Sequence, residues 1–461
     1  MKLFKNSYVI VGFMLFALFF GASNLIYPAF LGLYSGGNLA AAILGFCLTG
    51  VVVPLLGVIA VAYSGATNVE EIVRPVSRQF AVLFSIAIYL LLGPLFVLPR
   101  TGTVSFDVGI NPFFGDNLII KIIYGLFFFG LAFWMAIKPS KLADIIGKYL
   151  TPALLGMIAL LVVMSFISPS GDIGPAHNAA SDITNAFKDS PFIAGLVNGY
   201  QTMDALASLV YAIIVIEAIR GYGAKDASEV ALSSFKSGLI ATVFLALIYV
   251  FVGRIGATSQ SLFALSDGKY TLGGVAVENG GVVLGQVSRD YLGVIGQITL
   301  AIAVFLACLT TATGIVTACA EYFHKLQPKL SHEMWVGILL SVSLVLYFGG
   351  LSELTKWSGP FLFLLCPLAI VIILLIFLSK FFDNSPIVYR FAIGFTAIPA
   401  LYDMLSSLSK NTGLFALPQG MVDFFTHTVP LGNYTIGWLT FAVVGTLIGM
   451  VVYKVLPASE N

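Results

Sequence analysis

The first long apolar segment of the chain is interrupted near its centre, and this constrains the fold more than any other feature. Residues 8–34 are long enough to cross a bilayer, since a spanning helix needs about 20 apolar residues. The interruption consists of small or polar residues and a proline, namely Gly21, Ala22, Ser23, Asn24 and Pro28. Such residues free backbone groups and line cavities rather than face lipid. The pattern predicts a broken helix, as found in many secondary transporters; an ordinary kink packed by small residues is the alternative.

Composition predicts that the whole chain is embedded in a membrane. Hydrophobic residues make up 59% of the 461 residues and charged residues only 10%, which leaves too little polar surface for a soluble fold. The net charge of +1 argues against a nucleic-acid partner. The four cysteines lie inside apolar segments without metal-ligand spacing, so we expect them to be small packing residues.

The alternation of apolar runs and polar separators predicts an all-α membrane protein with about twelve spans. The predicted spans are 8–34, 39–64, 79–106, 117–137, 144–168, 192–219, 232–257, 291–324, 333–350, 358–381, 387–407 and 434–456. Most of the 23 Lys and Arg residues fall in loops on the same side as the N-terminus, so both termini are predicted to be cytoplasmic. The first span is too long to be a cleaved signal peptide.

The sixth predicted span repeats the interruption of the first, this time with an acid inside it. Its polar centre contains Tyr200, Gln201, Thr202, Met203 and Asp204. Because the sixth span follows the first by an odd number of spans, the two run in opposite directions across the bilayer. Paired interruptions in inverted halves are the best sequence indication of a transporter's binding site. Asp204 is therefore a candidate binding residue, although it could also simply cap the second half-helix.

The eighth predicted span contains adjacent hydroxyl groups at Thr310 and Thr311, beside the small residue Ala307. Threonine in a membrane helix usually bonds back to its own helix, and that is the simpler interpretation. Two adjacent hydroxyls together with free carbonyls from a broken neighbour would instead form an all-oxygen site of the kind that a hard cation prefers.

Four separated motifs closely resemble the bacterial branched-chain amino acid:cation symporter family. They are residues 16–28 (FALFFGASNLIYP), 93–101 (GPLFVLPRT), 199–207 (GYQTMDALA) and 308–312 (CLTTA), the last followed by 318–322 (ACAEY). The resemblance runs from the first span to the last. It implies a multi-pass protein of the bacterial cytoplasmic membrane that takes up leucine, isoleucine and valine, with Na+ as coupling ion and no organic cofactor.

The same resemblance implies the LeuT-like fold of the amino acid–polyamine–organocation superfamily. Residues 1–170 would form the first five-helix repeat, 190–381 the inverted second repeat, and 385–461 two appended helices, with helices 1 and 6 broken. The substrate is then expected at 21–24 and 200–204. Sodium-coupled relatives imply that carbonyls of Ala17 and Phe20 bind Na+ together with Ala307, Thr310 and Thr311.

Other polar residues are assigned from their position along the predicted spans. Arg100 follows Gln79 by about 30 Å of helix, so we expect it near the outer interface, either snorkelling or in an outer-gate ion pair. Glu217 and Glu321 are expected at the cytoplasmic face, with their roles open. The loops 169–191 and 254–290 are expected outside, and the Gly-rich stretch 272–281 of the second is interpreted as a moving lid.

Two other classes of function fit the sequence less well. An enzyme would need catalytic groups that converge inside the membrane, and only Asp204 is expected to lie deep. A channel would be expected to show a repeated pore-lining pattern. Within transport, the alternatives are a proton-coupled amino acid permease with Asp204 as the protonation site, or an exchanger. Lipid is the other expected partner, and the sequence does not determine the oligomeric state.

Overall fold

The computed structural model describes residues 7–115, 117–137, 151–180, 185–224 and 226–455. Within these ranges most residues are helical, as the apolar pattern predicts. The beginning of the fifth predicted span, 144–150, lies outside the described residues, as do the outermost residues of both termini. The division into repeats at 1–170, 190–381 and 385–461 includes such residues and stays a prediction.

Helices account for nearly all of the secondary structure, with one small sheet between two of them. The helices are α1 (Ser7–Phe19), α2 (Ala22–Ser35), α3 (Leu39–Cys47), α4 (Val53–Ser64), α5 (Val69–Val73), α6 (Arg78–Leu90), α7 (Val97–Gly109), α8 (Asn111–Phe114), α9 (Leu118–Ala136), α10 (Thr151–Ile167), α11 (Pro191–Gly199), α12 (Asp204–Gly221), α13 (Ala227–Ala257), α14 (Gly280–Leu326), α15 (His332–Tyr347), α16 (Gly350–Leu378), α17 (Pro386–Thr412), α18 (Gln419–Asp423) and α19 (Gly437–Val455). The strands are β1 (Ala264–Ser266), β2 (Lys269–Leu272) and β3 (Val275–Ala276), paired antiparallel in that order.

The helix ends follow the polar separators of the sequence. Asn117, Asp226, Asn279 and Ser331 each accept a hydrogen bond from a first-turn N–H of the helix that follows, which satisfies a backbone donor that has no partner within the helix. Each of the twelve predicted spans coincides, over its described residues, with one helix or one pair of helices.

In the described ranges, eight helical segments are long and apolar enough to cross a membrane, or nine if one bent pair is taken as a single span. That pair comprises 191–202 and α12, bent by 43°. Helices of the predicted first, fifth and ninth spans are shorter but also apolar. The molecule is thus an all-α multi-span membrane protein, and the number of twelve spans stays a prediction.

Both predicted breaks are present, although the first is narrower than the sequence suggests. The helix is interrupted only at Phe20 and Gly21, and Ala22 to Asn24 form the first turn of α2. At the second break a short 3₁₀ helix, Tyr200–Thr202, ends at Met203, whose φ of 62° lies in the left-handed region. A non-glycine residue in that conformation is strained and indicates a turn that its surroundings impose.

The third predicted span is a bent pair of helices rather than one straight helix. Helices α6 and α7 are joined by a π-helical segment, Leu91–Leu95, in which Gly93 has non-helical φ and ψ of −79° and −120°. The pair continues to Gly109, beyond the predicted end at residue 106. Arg100 therefore lies within the span and not near its end.

The region 254–290 is more ordered than a plain loop, so that prediction is wrong in its boundaries. Helix α13 continues to Ala257, the three strands occupy 264–276, and α14 begins at Gly280. Helix α14 bends at Gly293, where φ is 57°. Its first part, residues 280–292, begins before the predicted eighth span.

Small residues allow the central helices to pack closely. A methyl group on Gly256 of α13 would lie 2.1 Å from the carbonyl oxygen of Ala29 in α2, and one on Gly195 of α11 would lie 1.9 Å from that of Ala42 in α3. Such backbone approach is typical of membrane helix packing. It holds α2 and α11, which carry one side of each break, against their neighbours.

Candidate functional site

The two helix breaks meet through their polar side chains. The side-chain amide of Asn24 donates to Asp204 Oδ2 at 2.6 Å and also to the hydroxyl of Tyr249. The Tyr249 hydroxyl in turn donates to Asp204 Oδ2 at 3.3 Å. Asn24 and Asp204 are both buried. The structure thus brings together the two interruptions that the sequence predicts to be paired.

The local fold at each break explains why these side chains point inward. Asn24 Oδ1 accepts from the backbone N–H of Gly21 at 3.0 Å, so the side chain bridges the break itself. At the second break, the N–H of Asp204 donates to Thr202 Oγ1 at 3.3 Å, and that hydroxyl donates to the carbonyl of Gly199 at 2.9 Å. Asp204 is the first residue of α12 rather than its cap, so its carboxylate is free to bond across to Asn24.

A small cavity lies between the breaks. Its volume is about 20 Å³. Seven of the nine predicted substrate residues line it: Gly21, Ala22, Ser23, Asn24, Thr202, Met203 and Asp204. A space of this size holds roughly one water molecule, so the walls must move apart before an amino acid can enter.

The other two predicted substrate residues lie elsewhere. The side chain of Gln201 faces a second, larger cavity of about 670 Å³, whose walls also include Tyr27, Glu278 and Asp403. Tyr200 is buried and is absent from the walls of both cavities. The Tyr27 hydroxyl donates to Gln201 Oε1 at 3.5 Å, and the Gln201 carbonyl accepts a hydrogen bond from Arg100, which lines the small cavity. A thin layer of side chains therefore separates the two cavities.

Arg100 belongs to this layer, and the prediction that it lies near the outer interface is wrong. Its side chain is only 1% exposed, and it lines the small cavity. Its Nη1 donates to Ser23 Oγ at 3.2 Å and to the Gln201 carbonyl at 3.0 Å, and Nη2 donates to Ser358 Oγ at 2.8 Å. The sequence contained one signal for a functional role of Arg100: it is a charged residue inside a predicted span, and such residues are usually functional.

The predicted cation residues also converge, on the last turn of α1. Thr310 Oγ1 lies 3.2 Å from the carbonyl oxygen of Ala17 and 2.9 Å from that of Ala307. Thr311 Oγ1 lies 3.3 Å from the carbonyl oxygen of Leu18, and Thr311 also lines the small cavity. These atoms form an all-oxygen, uncharged set, which fits a hard cation such as Na+. Phe20, the other predicted α1 ligand, is buried within the break, and the α1 carbonyl that Thr311 contacts is that of Leu18 rather than that of Phe20.

A cluster of aromatic rings lies in the wall of neither cavity. Gly280, at the start of α14, lines the large cavity, whereas Tyr322 lies near the other end of the same helix. The rings of Tyr322 and Tyr89 stack at 4.1 Å between centroids, and the Tyr322 hydroxyl donates to Glu70 Oε1 at 2.8 Å. Glu321 is half-buried and Glu217 exposed, and neither lines either cavity.

Residues 4–456 match the model of a protein family described as branched-chain amino acid transport protein. The branched-chain amino acid permease BraB of Bacillus subtilis is 38% identical over 457 residues, covering 98% of this chain and 97% of the relative. The branched-chain amino acid transport system 2 carrier protein of Pseudomonas aeruginosa is 35% identical over 447 residues, covering 97% and 96%. Both likenesses extend over nearly the whole of each chain.

Solved structures with a similar fold are also transporters. Mhp1, a nucleobase-cation-symport-1 family transporter, superposes with a TM-score of 0.62 at 14% identity, covering 98% of this chain and 94% of that one. A Na+-coupled sialic acid symporter superposes with a TM-score of 0.63 at 12% identity, covering 99% and 91%. At such low identity the likeness establishes the fold alone.

Proposed function

Because this chain belongs to the family of branched-chain amino acid transport proteins, we propose that it takes up leucine, isoleucine and valine together with Na+ across the bacterial cytoplasmic membrane. The observation that carries the proposal is that both helix breaks and Thr311 of α14 line one small cavity, while the adjacent Thr310 contacts the Ala17 carbonyl at the end of α1. Transport proceeds by alternating access: the layer containing Tyr27 and Gln201 opens on one side, and the layer containing Tyr89 and Tyr322 on the other.

The substrate is a zwitterion, and both of its charged ends need partners in a dry site. In this proposal the free N–H groups of the first turn of α2, around Ser23 and Asn24, receive the carboxylate, since the N-terminus of a helix favours an anion. Carbonyl groups at the end of α1 and in the break at Tyr200–Thr202 receive the ammonium group. The aliphatic side chain packs against Met203, where one methylene changes affinity by only ~1–3 kcal/mol.

Sodium binds where Thr310 and Thr311 meet the carbonyls of Ala17 and Leu18. The proximity of these groups to the cavity supports coupling, because Thr311 lines the cavity and a methyl group on Gly21 would lie 2.8 Å from its hydroxyl. An ion at this position would fix the end of α1 that borders the substrate. Each ligand would then raise the affinity of the other.

One observation supports a second candidate, proton coupling. The carboxylate of Asp204 is buried, and its hydrogen-bond partners Asn24 and Tyr249 are both neutral. A buried carboxylate surrounded by neutral groups is a suitable protonation site, since a proton removes the cost of burying its charge.

Uptake of labelled leucine into proteoliposomes separates these functions. We expect accumulation with an inward Na+ gradient, none with a pH jump in sodium-free medium, and competition by isoleucine and valine. Uptake driven by the pH jump alone would establish the proton-coupled permease instead. Efficient competition by lysine or glutamate would contradict the proposed substrate site, because its apolar wall offers no partner for a third charge.

A further inference from the structure

Two buried charges border the small cavity without an ionic partner. Arg100 is 1% exposed and Asp204 is 3% exposed, and both line the cavity. Among the described residues, the hydrogen-bond partners of Arg100 are two serine hydroxyls and a backbone carbonyl, and its Nε atom has none. Asp204 bonds only to neutral groups among the residues that the structure describes. Neither Arg100 nor Asp204 forms an ion pair with another described residue.

A buried ion without an opposite charge beside it is energetically unfavourable. Burying an ion costs several kcal/mol unless an opposite charge and hydrogen bonds compensate it, and the cost is greater inside a membrane. Both groups are anchored on one turn of α2, since Arg100 bonds to Ser23 and Asp204 to its neighbour Asn24. The cavity is therefore bordered by one basic and one acidic side chain that bond to adjacent residues of the same turn.

We propose that Arg100 binds the carboxylate of the amino acid substrate and that Asp204 compensates its ammonium group. The proposal rests on the proposed function and adds one side chain to each set of backbone groups: Arg100 beside the N–H groups of α2, and Asp204 beside the carbonyls of the two breaks. A guanidinium presents several donors in a plane and binds a carboxylate in a bidentate manner. Arg100 can bind such a carboxylate when the cavity widens, because its Nε has no partner and its bonds to Ser23 and Ser358 can be exchanged.

The position of Arg100 also connects recognition to movement. Its guanidinium contacts α2 through Ser23, the second break through the Gln201 carbonyl, and α16 through Ser358. A carboxylate that takes over one of these donors changes the contacts of the layer between the two cavities. Ligands that lack the carboxylate would leave that layer as it is, so the site selects α-amino acids over amines.

The test is binding of labelled L-leucine to the purified full-length protein in the presence of Na+, with two competitors. Leucinamide lacks the carboxylate, and 4-methylpentanoate lacks the ammonium group. For Arg100→Gln we expect leucine affinity to fall by about a hundredfold and leucinamide affinity to change little. For Arg100→Lys, which keeps the charge but loses the fork, we expect about a tenfold loss. Asp204→Asn should reduce the preference for leucine over 4-methylpentanoate.

Arg254→Gln is the matched control, because this half-buried arginine packs on Phe166 and lies in the wall of neither cavity. It should leave both affinities unchanged.

An Arg100→Gln protein that still prefers leucine over leucinamide to the wild-type degree would overturn the proposal. If that variant does not fold, as judged by size-exclusion and thermal unfolding, Arg100→Lys decides by the same comparison. If neither variant folds, wild-type binding of leucinamide as tight as that of leucine overturns it, and weaker binding supports it. A wild-type protein that binds no leucine would refute the proposed function itself.

Discussion

At the scale of single residues, neighbouring threonines of α14 differ in what their hydroxyls contact. Thr313 and Thr317 donate to carbonyls of their own helix, at 2.7 Å and 2.8 Å, which is the usual behaviour in membrane helices. Thr310 bonds to Ala307 of its own helix and also reaches the carbonyl of Ala17 in α1, and Thr311 reaches the carbonyl of Leu18 in α1. Only the contacts between α14 hydroxyls and α1 carbonyls could form a shared ion site, because they supply oxygens from two helices.

This contrast makes the threonines testable one by one. Thr310→Val or Thr311→Val keeps the shape of the side chain but removes one oxygen, so the Na+ concentration for half-maximal leucine uptake should rise about tenfold. The measurement is the Na+ dependence of initial uptake rates in proteoliposomes. Thr317→Val, on the same helix, serves as the control and should show the wild-type dependence. An unchanged dependence in both Thr310→Val and Thr311→Val would reject the site.

At the scale of elements, each break depends on a half-helix that is packed tightly against its neighbour. Helix α2 carries Ser23 and Asn24 and lies against α13, with Gly256 directly over the Ala29 carbonyl. The contact leaves no room for a methyl group. The position of the site therefore depends on glycines that lie well away from it.

Gly256→Ala should consequently destabilise the protein. A methyl group there would lie 2.1 Å from a backbone oxygen, so α2 and α13 must move apart, at a cost of about 1–3 kcal/mol or more. Thermal unfolding of the detergent-solubilised protein measures this loss. Gly130→Ala is the control, since a methyl group there meets no atom within 4 Å and the change favours helix formation. Equal melting temperatures for the two variants would contradict the packing described here.

At the scale of the whole molecule, the proposed alternating access requires the large cavity and the stacked Tyr89 and Tyr322 rings to face opposite sides of the membrane. The predicted orientation places the large cavity outside, with exposed Ser352 in its wall, and exposed Thr67 inside. In a chain whose four cysteines are replaced by alanine, Ser352→Cys should react with a membrane-impermeant maleimide in intact cells. Thr67→Cys should react only after permeabilisation. The reverse labelling would invert the topology.

Coupling is a second property of the whole molecule. One Na+ that enters down a tenfold gradient releases about 1.4 kcal/mol, and its charge crossing 100 mV adds about 2.3 kcal/mol. Since the amino acid is neutral overall, one-to-one symport moves one positive charge and supports roughly 500-fold accumulation at most. Uptake current in voltage-clamped liposomes, and leucine binding with and without Na+, measure both consequences. Uptake without inward positive charge, or leucine affinity independent of Na+, would favour an exchanger.

The sequence by itself determined the class of fold and the positions of both breaks. Spans are set by local apolar length, and the breaks by local runs of small and polar residues, so neither depends on distant contacts. For the same reason Asn24, Asp204, Thr310 and Thr311 can be identified as candidate site residues from the order of amino acids alone. The sequence also indicated that the two interruptions belong together, and the hydrogen bond from Asn24 to Asp204 confirms that they meet.

Only the tertiary structure decided where Arg100 lies, which way Gln201 and Tyr200 point, and how small the cavity is. Arg100 was misplaced because a count of residues along a straight helix ignores the bend at Gly93 and the continuation of the span to Gly109. Local propensity predicts neither the left-handed turn at Met203 nor the burial of Tyr200 away from both cavities. These features depend on how bent helices pack against one another, and that packing is set by contacts between residues far apart in the chain.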